Sequence, residues 1–426
     1  MEIHVVKANE TIYSIASEYG ISTERLISDN GLFGLNSLVT GQSLIILSPS
    51  ITHTVKIGET IYSVARDYGI SASKLVRNNP SLIFNPNLFE GEEITIAFDN
   101  QTNRKISTYG FVYPFISPEI LAVQSIYSTS VAIFSYGFNT NGTLITTKDI
   151  NSLEILKQYN SIPIMVLSSI TEEGMFEIEK TSILFNDISV QNTLINNMIY
   201  EMREKGFKGI DIDFEFINPE DRDAFSAFVR NVTEKMNAEG FTVNVDLAPK
   251  TSAEQRGSLY EGHDYRALGM AANTVMLMTY EWGYTYSPPM AVAPVNKVRE
   301  VVEYAISEID NNKIYMGIPN YGYDWTLPYE KGISKAKVIG NEEAIRIAHR
   351  YSSTINFDDT AQTPYFTYTD SGTEHEVWFE DARSIIAKYN IIDEFSLLGG
   401  GYWNLMRPFM QNWSYVNSNY DIAKSQ

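Results

Sequence analysis

The chain has no cysteine in 426 residues, which excludes structural disulfides and thiolate metal sites and leaves the redox compartment open. Histidine is nearly as scarce. His4, His53, His263, His349 and His375 are scattered without a two-histidine ligand spacing, so neither a zinc centre nor another cofactor is expected. No apolar run approaches the length needed to span a bilayer. The first residues, MEIHVVKANETIYS, lack a basic stretch followed by an apolar one, so no secretory signal is visible. Any destination outside the cytoplasm is expected to be reached by another route. Positive charge is also short: 32 Lys and Arg against 52 Asp and Glu leave a formal net charge of -20. Non-specific binding to nucleic acid or to an anionic surface needs a positive face, so a neutral or weakly anionic partner fits better. What is present, 44% hydrophobic and 20% charged residues, suffices for at least one sizeable core and, at this length, two or more domains.

Sliding the sequence against itself by 49 positions aligns HVVKANETIYSIASEYGIS, from His4, with HTVKIGETIYSVARDYGIS, from His53, and thirteen of the nineteen positions are identical. Each copy starts with a short alternating run. Glu10-Thr11 or Glu59-Thr60 then opens an amphipathic stretch in which Ile12, Ala16 and Tyr19, or Ile61, Ala65 and Tyr68, recur at helical spacing. Gly20 and Gly69 stand where helix C-caps belong. A second short helix around Leu26 or Leu75 and a closing apolar run, LIIL or ITIAF, complete a strand-helix-helix-strand unit over 2–48 and again over 51–97.

Both copies resemble LysM modules, with the V-x-x-G-(D/E)-T-(I/L)-x-x-(I/L)-A pattern and, in the second copy, Asn79-Pro80. The first copy departs from it at Asn9 and at Asp29-Asn30-Gly31. The resemblance implies binding of glycans that contain N-acetylglucosamine, such as peptidoglycan and chitin.

Residues 98–105, FDNQTNRK, are polar and read as a linker. Beyond them STYGFVYPF, SVAIFSYGF, SIPIMVLSS, GIDIDFEF, FTVNVDLAP, TVMLMTYEW, KIYMGIPNYGYDW and SLLGGGYWNL alternate with amphipathic stretches. Eight such alternations predict a (β/α)8 barrel over 106–426, since strands covered on both faces read as apolar runs. Residues 326–390, between the seventh and eighth strands, contain TPYFTYTDSGTEHEVWFED and predict a small inserted α+β lobe with hairpin strands.

One strand breaks the apolar rule. In KGIDIDFEF, residues 208–216, side chains alternate, so Ile210, Ile212, Phe214 and Phe216 face the helices while Asp211, Asp213 and Glu215 face the barrel interior. Carboxyls buried in one line must share protons and hydrogen bonds, which pushes their pKa values apart and offers a proton donor beside an ionised partner. Barrel enzymes carry such groups at the C-terminal ends of their strands.

This stretch resembles the glycoside hydrolase family 18 signature D-G-x-D-x-D-x-E, with Lys208 in place of its first Asp. MTYEW resembles the sixth-strand M-x-Y-D element, GIPNYGYDW the seventh-strand G-x-P-x-Y-G element, and GGGYWNL ends on Trp403; a third-strand S-x-G-G element is missing from VLSSI. The resemblance implies that Glu215 is the general acid/base, that Asp213 orients the substrate's acetamido group, that Asp211 tunes Asp213, and that the Tyr280 hydroxyl holds the acetamido oxygen. It further implies substrate contacts at Trp403, Tyr321, Glu281, Asn320 and Tyr109. The family works without a metal and by retention: the substrate's own acetamido group replaces an enzyme nucleophile.

Two LysM-like units ahead of such a barrel, without a secretory signal, resemble the spore cortical-fragment lytic enzymes, and that resemblance implies an N-acetylglucosaminidase acting on spore cortex peptidoglycan or its fragments, deposited on the spore. One alternative keeps the enzyme and exchanges the substrate for chitin or chito-oligosaccharides. The other is a non-catalytic glycan-binding coat protein.

Overall fold

The computed structural model describes all residues except 36, 100, 101, 103, 171–176, 425 and 426, so part of the expected linker and the segment after the third strand lie outside the described residues. Among the described residues, eight parallel strands form a closed barrel. They are β1 (Lys105–Val112), β2 (Ser130–Phe138), β3 (Ile162–Ser168), β4 (Gly209–Asp213), β5 (Thr242–Leu247), β6 (Thr274–Leu277), β7 (Ile314–Pro319) and β8 (Gly399–Trp403). Each pairs with the next, and β8 returns to β1. Every one of the eight apolar runs supplies one strand. The (β/α)8 barrel, preceded by LysM-type units, is therefore the observed architecture.

Helices cover the outside because their apolar stripes have nowhere else to go. The helix Arg222–Ala238 buries Phe225, Phe228, Val229, Val232 and Met236. Phe214, fully buried, packs between Phe185, Phe225 and Phe228 with ring centroids 5.8, 6.2 and 6.1 Å away. Burial of each such side chain is worth about 1.5–3 kcal/mol. Ile210, Ile212 and Phe214 thus pin β4 from outside, which forces the intervening acids inward. At β8 the run of glycines is a matter of space: a Cβ on Gly401 would lie 2.0 Å from Met276 Sδ.

The first N-terminal unit pairs strand Glu2–Val5 with Ser43–Ile46 around helices Ile12–Tyr19 and Thr23–Asn30. The second pairs Pro49–Thr54 with Glu93–Phe98 around Ile61–Asp67 and Ala72–Asn78, and adds a helical turn at Ser81–Phe84. Identical capping boxes start the first helix of each: Thr11 and Ser14 in one, Thr60 and Ser63 in the other, satisfy each other's backbone N–H groups.

The twins differ in what they touch. In the first, Val39 enters the apolar core of the inserted lobe, and the Ile355 N–H donates to the Thr40 carbonyl at 2.9 Å. In the second, the corresponding edge is open, with Phe89 60% and Ile57 83% exposed. Both modules also meet the C-terminal helix Met410–Asn419. Gln411 donates to Asn30 Oδ1 at 3.0 Å and to the Ser43 carbonyl at 2.8 Å, Ser414 to the Asp29 carbonyl at 2.7 Å, and Asn417 to Asn78 Oδ1 at 2.9 Å.

The lobe corrects one expected boundary. Its five-stranded sheet begins at Gly322, not 326, and ends at Trp378, with helix Asn341–Arg350 against it. Ala382–Glu394, expected within the lobe, is a helix packed on the barrel. The apolar run GIPNYGYDW hides a break after Pro319: β7 stops there, and Gly322–Thr326 pairs with Thr373–Trp378 instead. No helix among the described residues is long and apolar enough to cross a membrane.

Candidate active site

At the C-terminal end of the strands lies a cavity of about 380 Å³ whose floor carries Asp213, Glu215, Asp246 and Tyr280, with Trp403, Tyr113, Phe134 and Trp282 among its walls. Trp403 sits at the end of β8, propped edge-on by Phe134 at 5.2 Å and by Tyr113 at 6.1 Å. An indole so supported presents a flat apolar surface, the type of surface on which a sugar ring stacks. Ile170, just beyond β3, closes another side.

The acids of β4 do face inward, and depth separates them. Asp211 is deepest and fully buried. Its Oδ2 accepts from the Tyr109 hydroxyl at 2.6 Å and its Oδ1 from Asn244 Nδ2 at 2.9 Å. Burial raises its pKa while these bonds and one to Asp246 oppose the rise, leaving it at about 6. Asp213 is one step nearer the cavity. Its Oδ1 is buried without a hydrogen-bond partner among the described residues, and burial, then the charges of Glu215 and Asp211, push its pKa well up. Glu215 is half-buried at the cavity floor, and burial followed by the charge of Glu281 lifts it to about 7. A carboxyl that keeps its proton near neutrality can deliver it to a leaving group.

Tyr280 lies beside them, its pKa raised by burial and by Asp246, Asp213, Glu215 and Glu281, so it stays a neutral donor. Glu281 lines the same cavity and accepts from the Tyr321 hydroxyl, and from that of Tyr323 at 3.0 and 3.1 Å. Through Tyr323, a lobe residue, the inserted sheet holds Glu281 in place.

Three expected substrate contacts are not on the cavity wall. Tyr109 lies beneath it, because a β1 residue at this depth faces Asp211 and spends its hydroxyl there. Asn320 is buried and donates to the carbonyls of Asn404 at 2.9 Å and Arg407 at 2.8 Å, tying β7 to the segment after β8. Tyr321 is buried behind Glu281. Lys208 is exposed at the opposite end of β4, before Gly209.

Two polar residues of the floor escaped the sequence reading, Asn244 and Asp246. The signal was available: in TVNVDL the outward Val243, Val245 and Leu247 alternate with Asn244 and Asp246, the period seen in the neighbouring strand. The β4–β5 register sets Asn244 opposite Asp211. Among the described residues, no group of three or more His, Asp or Glu side chains is arranged to hold a metal ion.

Residues 97–407 match the model of glycosyl hydrolases family 18, and residues 4–47 and 53–97 each match the LysM domain. The chain is 41% identical to a cortical fragment-lytic enzyme of Bacillus subtilis (strain 168), over 100% of this chain and 99% of the relative. Among solved structures it resembles the spore cortex-lytic enzyme SleL of Bacillus megaterium QM B1551, with a TM-score of 0.85 and 39% identity over 100% of this chain and 99% of that one. SleL of Bacillus cereus follows, with a TM-score of 0.84 and 35% identity over 99% of this chain and 98% of that one.

Proposed function

The chain belongs to glycosyl hydrolases family 18 and carries two LysM domains, and from that premise we propose that it is an N-acetylglucosaminidase that cleaves spore cortex peptidoglycan or its fragments with retention. The observation that carries the proposal is the pair at the floor of the cavity: a proton-holding Glu215 beside Asp213, one of whose oxygens has no partner among the described residues. The full-length likeness to enzymes named for cortex lysis supports the choice of substrate and of the spore as the place of action.

In this reading the sugar to be cleaved stacks on Trp403, and its acetamido group enters between Asp213 and Tyr280. The acetamido carbonyl oxygen attacks the anomeric carbon as Glu215 gives its proton to the departing glycosidic oxygen, forming a cyclic oxazolinium. Glu215, now a carboxylate, takes a proton from the water that opens it. Two displacements at one carbon restore its configuration. Asp213 and Tyr280 stabilise charge that develops on the acetamide only as the reaction proceeds, where fixed groups in a cavity act most strongly. Asp211 and Tyr109 hold the floor, and the LysM pair keeps the enzyme on the glycan.

Digestion of purified cortex fragments tests this. The wild-type protein is expected to release products with new reducing-end N-acetylglucosamine of retained configuration, identified by mass and by NMR of the fresh anomer. Glu215→Gln should bind the same material and release none. Reducing ends on muramic acid residues, or cleavage of chito-oligosaccharides alone, would replace the proposed specificity.

A further inference from the structure

Asp246 stands on β5, one strand away from the acids of β4, and faces the same cavity. It is buried. Asn244 Nδ2 donates to Asp211 Oδ1 at 2.9 Å and to Asp246 Oδ1 at 3.2 Å, so one amide gathers two carboxyls from neighbouring strands. The amide is held in turn by the Thr274 hydroxyl, which donates to Asn244 Oδ1 at 2.8 Å. Gathered on one nitrogen, the two carboxyls stand close enough to share a proton. Two ionised carboxylates so close and out of water repel each other and can only accept, so one of the two carries a proton.

The other bonds decide which. Asp211 already accepts from Tyr109 and Asn244, two donors that favour its ionised form, whereas Asp246 has one such donor and faces the charges of β4. Tyr109 holds Oδ2 of Asp211 and Asn244 holds Oδ1, while Oδ1 of Asp213 has no hydrogen-bond partner among the described residues.

We infer that Asp246 is a positioning residue of this site: as the neutral, proton-carrying partner of Asp211 it fixes that carboxylate in the floor and leaves Asp213 free to engage the substrate. The direction of its own titration agrees, since burial and the charges of Asp211 and Asp213 push Asp246 well above the usual carboxylate range. The inference rests on the proposed reaction and names a residue outside the strand that carries the signature.

Two variants and two kinds of readout test it. Asp246→Asn keeps a hydrogen-bond donor facing Asp211, and Asp246→Ala removes it. The alanine variant is expected to lose about tenfold or more in kcat on cortex fragments, the size of one charge-assisted hydrogen bond, with KM little changed. The asparagine variant should retain kcat within a few-fold. Infrared difference spectra at pH 7 supply the readout that does not depend on turnover: wild type minus Asp246→Asn should show the carbonyl band of one protonated carboxylic acid, while the bands of Glu215 and Asp213 are common to both and cancel. Equal loss of kcat in both variants, or an unchanged carboxylic acid band in Asp246→Asn, would overturn the inference. Were alanine to prevent folding, the infrared band and the activity of the asparagine variant would still decide. An inactive wild-type protein whose difference spectrum against Asp246→Asn shows the band would instead sink the proposed reaction and leave the proton on Asp246.

Discussion

The barrel mouth and the seam between the LysM modules and the C-terminal helix are both buried and polar, yet they are built from opposite materials. At the mouth Asp211, Asp213, Glu215 and Asp246 crowd acids of one sign, each with its pKa raised by burial. Across the seam neutral amides and hydroxyls meet, Gln411, Ser414 and Asn417 against Asn30, Asp29's backbone and Asn78, together with a buried cation, Arg77, which donates to Asn417 Oδ1 at 3.1 Å. Like charges gathered out of water cost stability and store proton-donating power, whereas neutral hydrogen bonds each add about 0.5–1.5 kcal/mol and leave nothing to react. The mouth is therefore where stability is given up for chemistry, and the seam is where three units are joined without it.

The sharpest way to break this contrast is Glu215→Gln. Activity should fall by about two to four orders of magnitude, the usual contribution of a positioned general acid. Stability should move the other way. Because the folded-state pKa of Glu215 is raised to about 7, the native protein binds the proton more tightly than the unfolded chain does, and ionisation costs stability. That cost is absent below the ordinary glutamate range and fully present above about pH 7, so thermal unfolding at pH 8 should favour the variant over wild type, with the gap closing at pH 4. A variant less stable than wild type at pH 8 would mean the mouth stores no such strain.

At the seam the effects should reverse. Gln411→Ala strips three hydrogen bonds, one of them accepted from the Ala382 N–H at 3.1 Å, and leaves Asn30 and the Ser43 carbonyl facing a void, which should cost about 1–3 kcal/mol in urea unfolding. The kcat on soluble cortex fragments should not change. A fall in kcat would show that the modules are coupled to the mouth.

Glu281→Gln tests the electrostatics more finely. In the proposed reaction Glu215 acts in its protonated form, so kcat/KM should fall as pH rises through about 7, and the charge of Glu281 is one cause of that position. Removing the charge should move the alkaline limb to lower pH. Lys208→Ala should do least. The side chain is exposed at the far end of β4, so activity should be unchanged and stability should stay within about 0.5 kcal/mol.

Much of the site was readable because β4 alternates: a period of two inside an apolar run can only mean that Asp211, Asp213 and Glu215 share one side, and the outward Ile210, Ile212 and Phe214 settle which side that is. The family resemblance implies substrate contacts at Tyr109, Asn320 and Tyr321, but how deep a side chain sits in a barrel depends on strand stagger, which no single strand records. Asp246 was passed over because one acid in FTVNVDLAP carries little weight until the register sets its strand beside β4.

Taken alone, the sequence determined the order of strands and helices, the doubled N-terminal unit and the line of acids, all of which are local periodicities written by neighbours in the chain. Only the tertiary structure decided that Asp211 is held by Tyr109 and Asn244, that the same Asn244 gathers in Asp246, that Tyr323 of the lobe fixes Glu281, and that one LysM module is docked along an edge its twin leaves open. Those facts depend on which surfaces meet when distant segments close around a common core. The free energy of each meeting belongs to both partners at once and is written in neither segment alone.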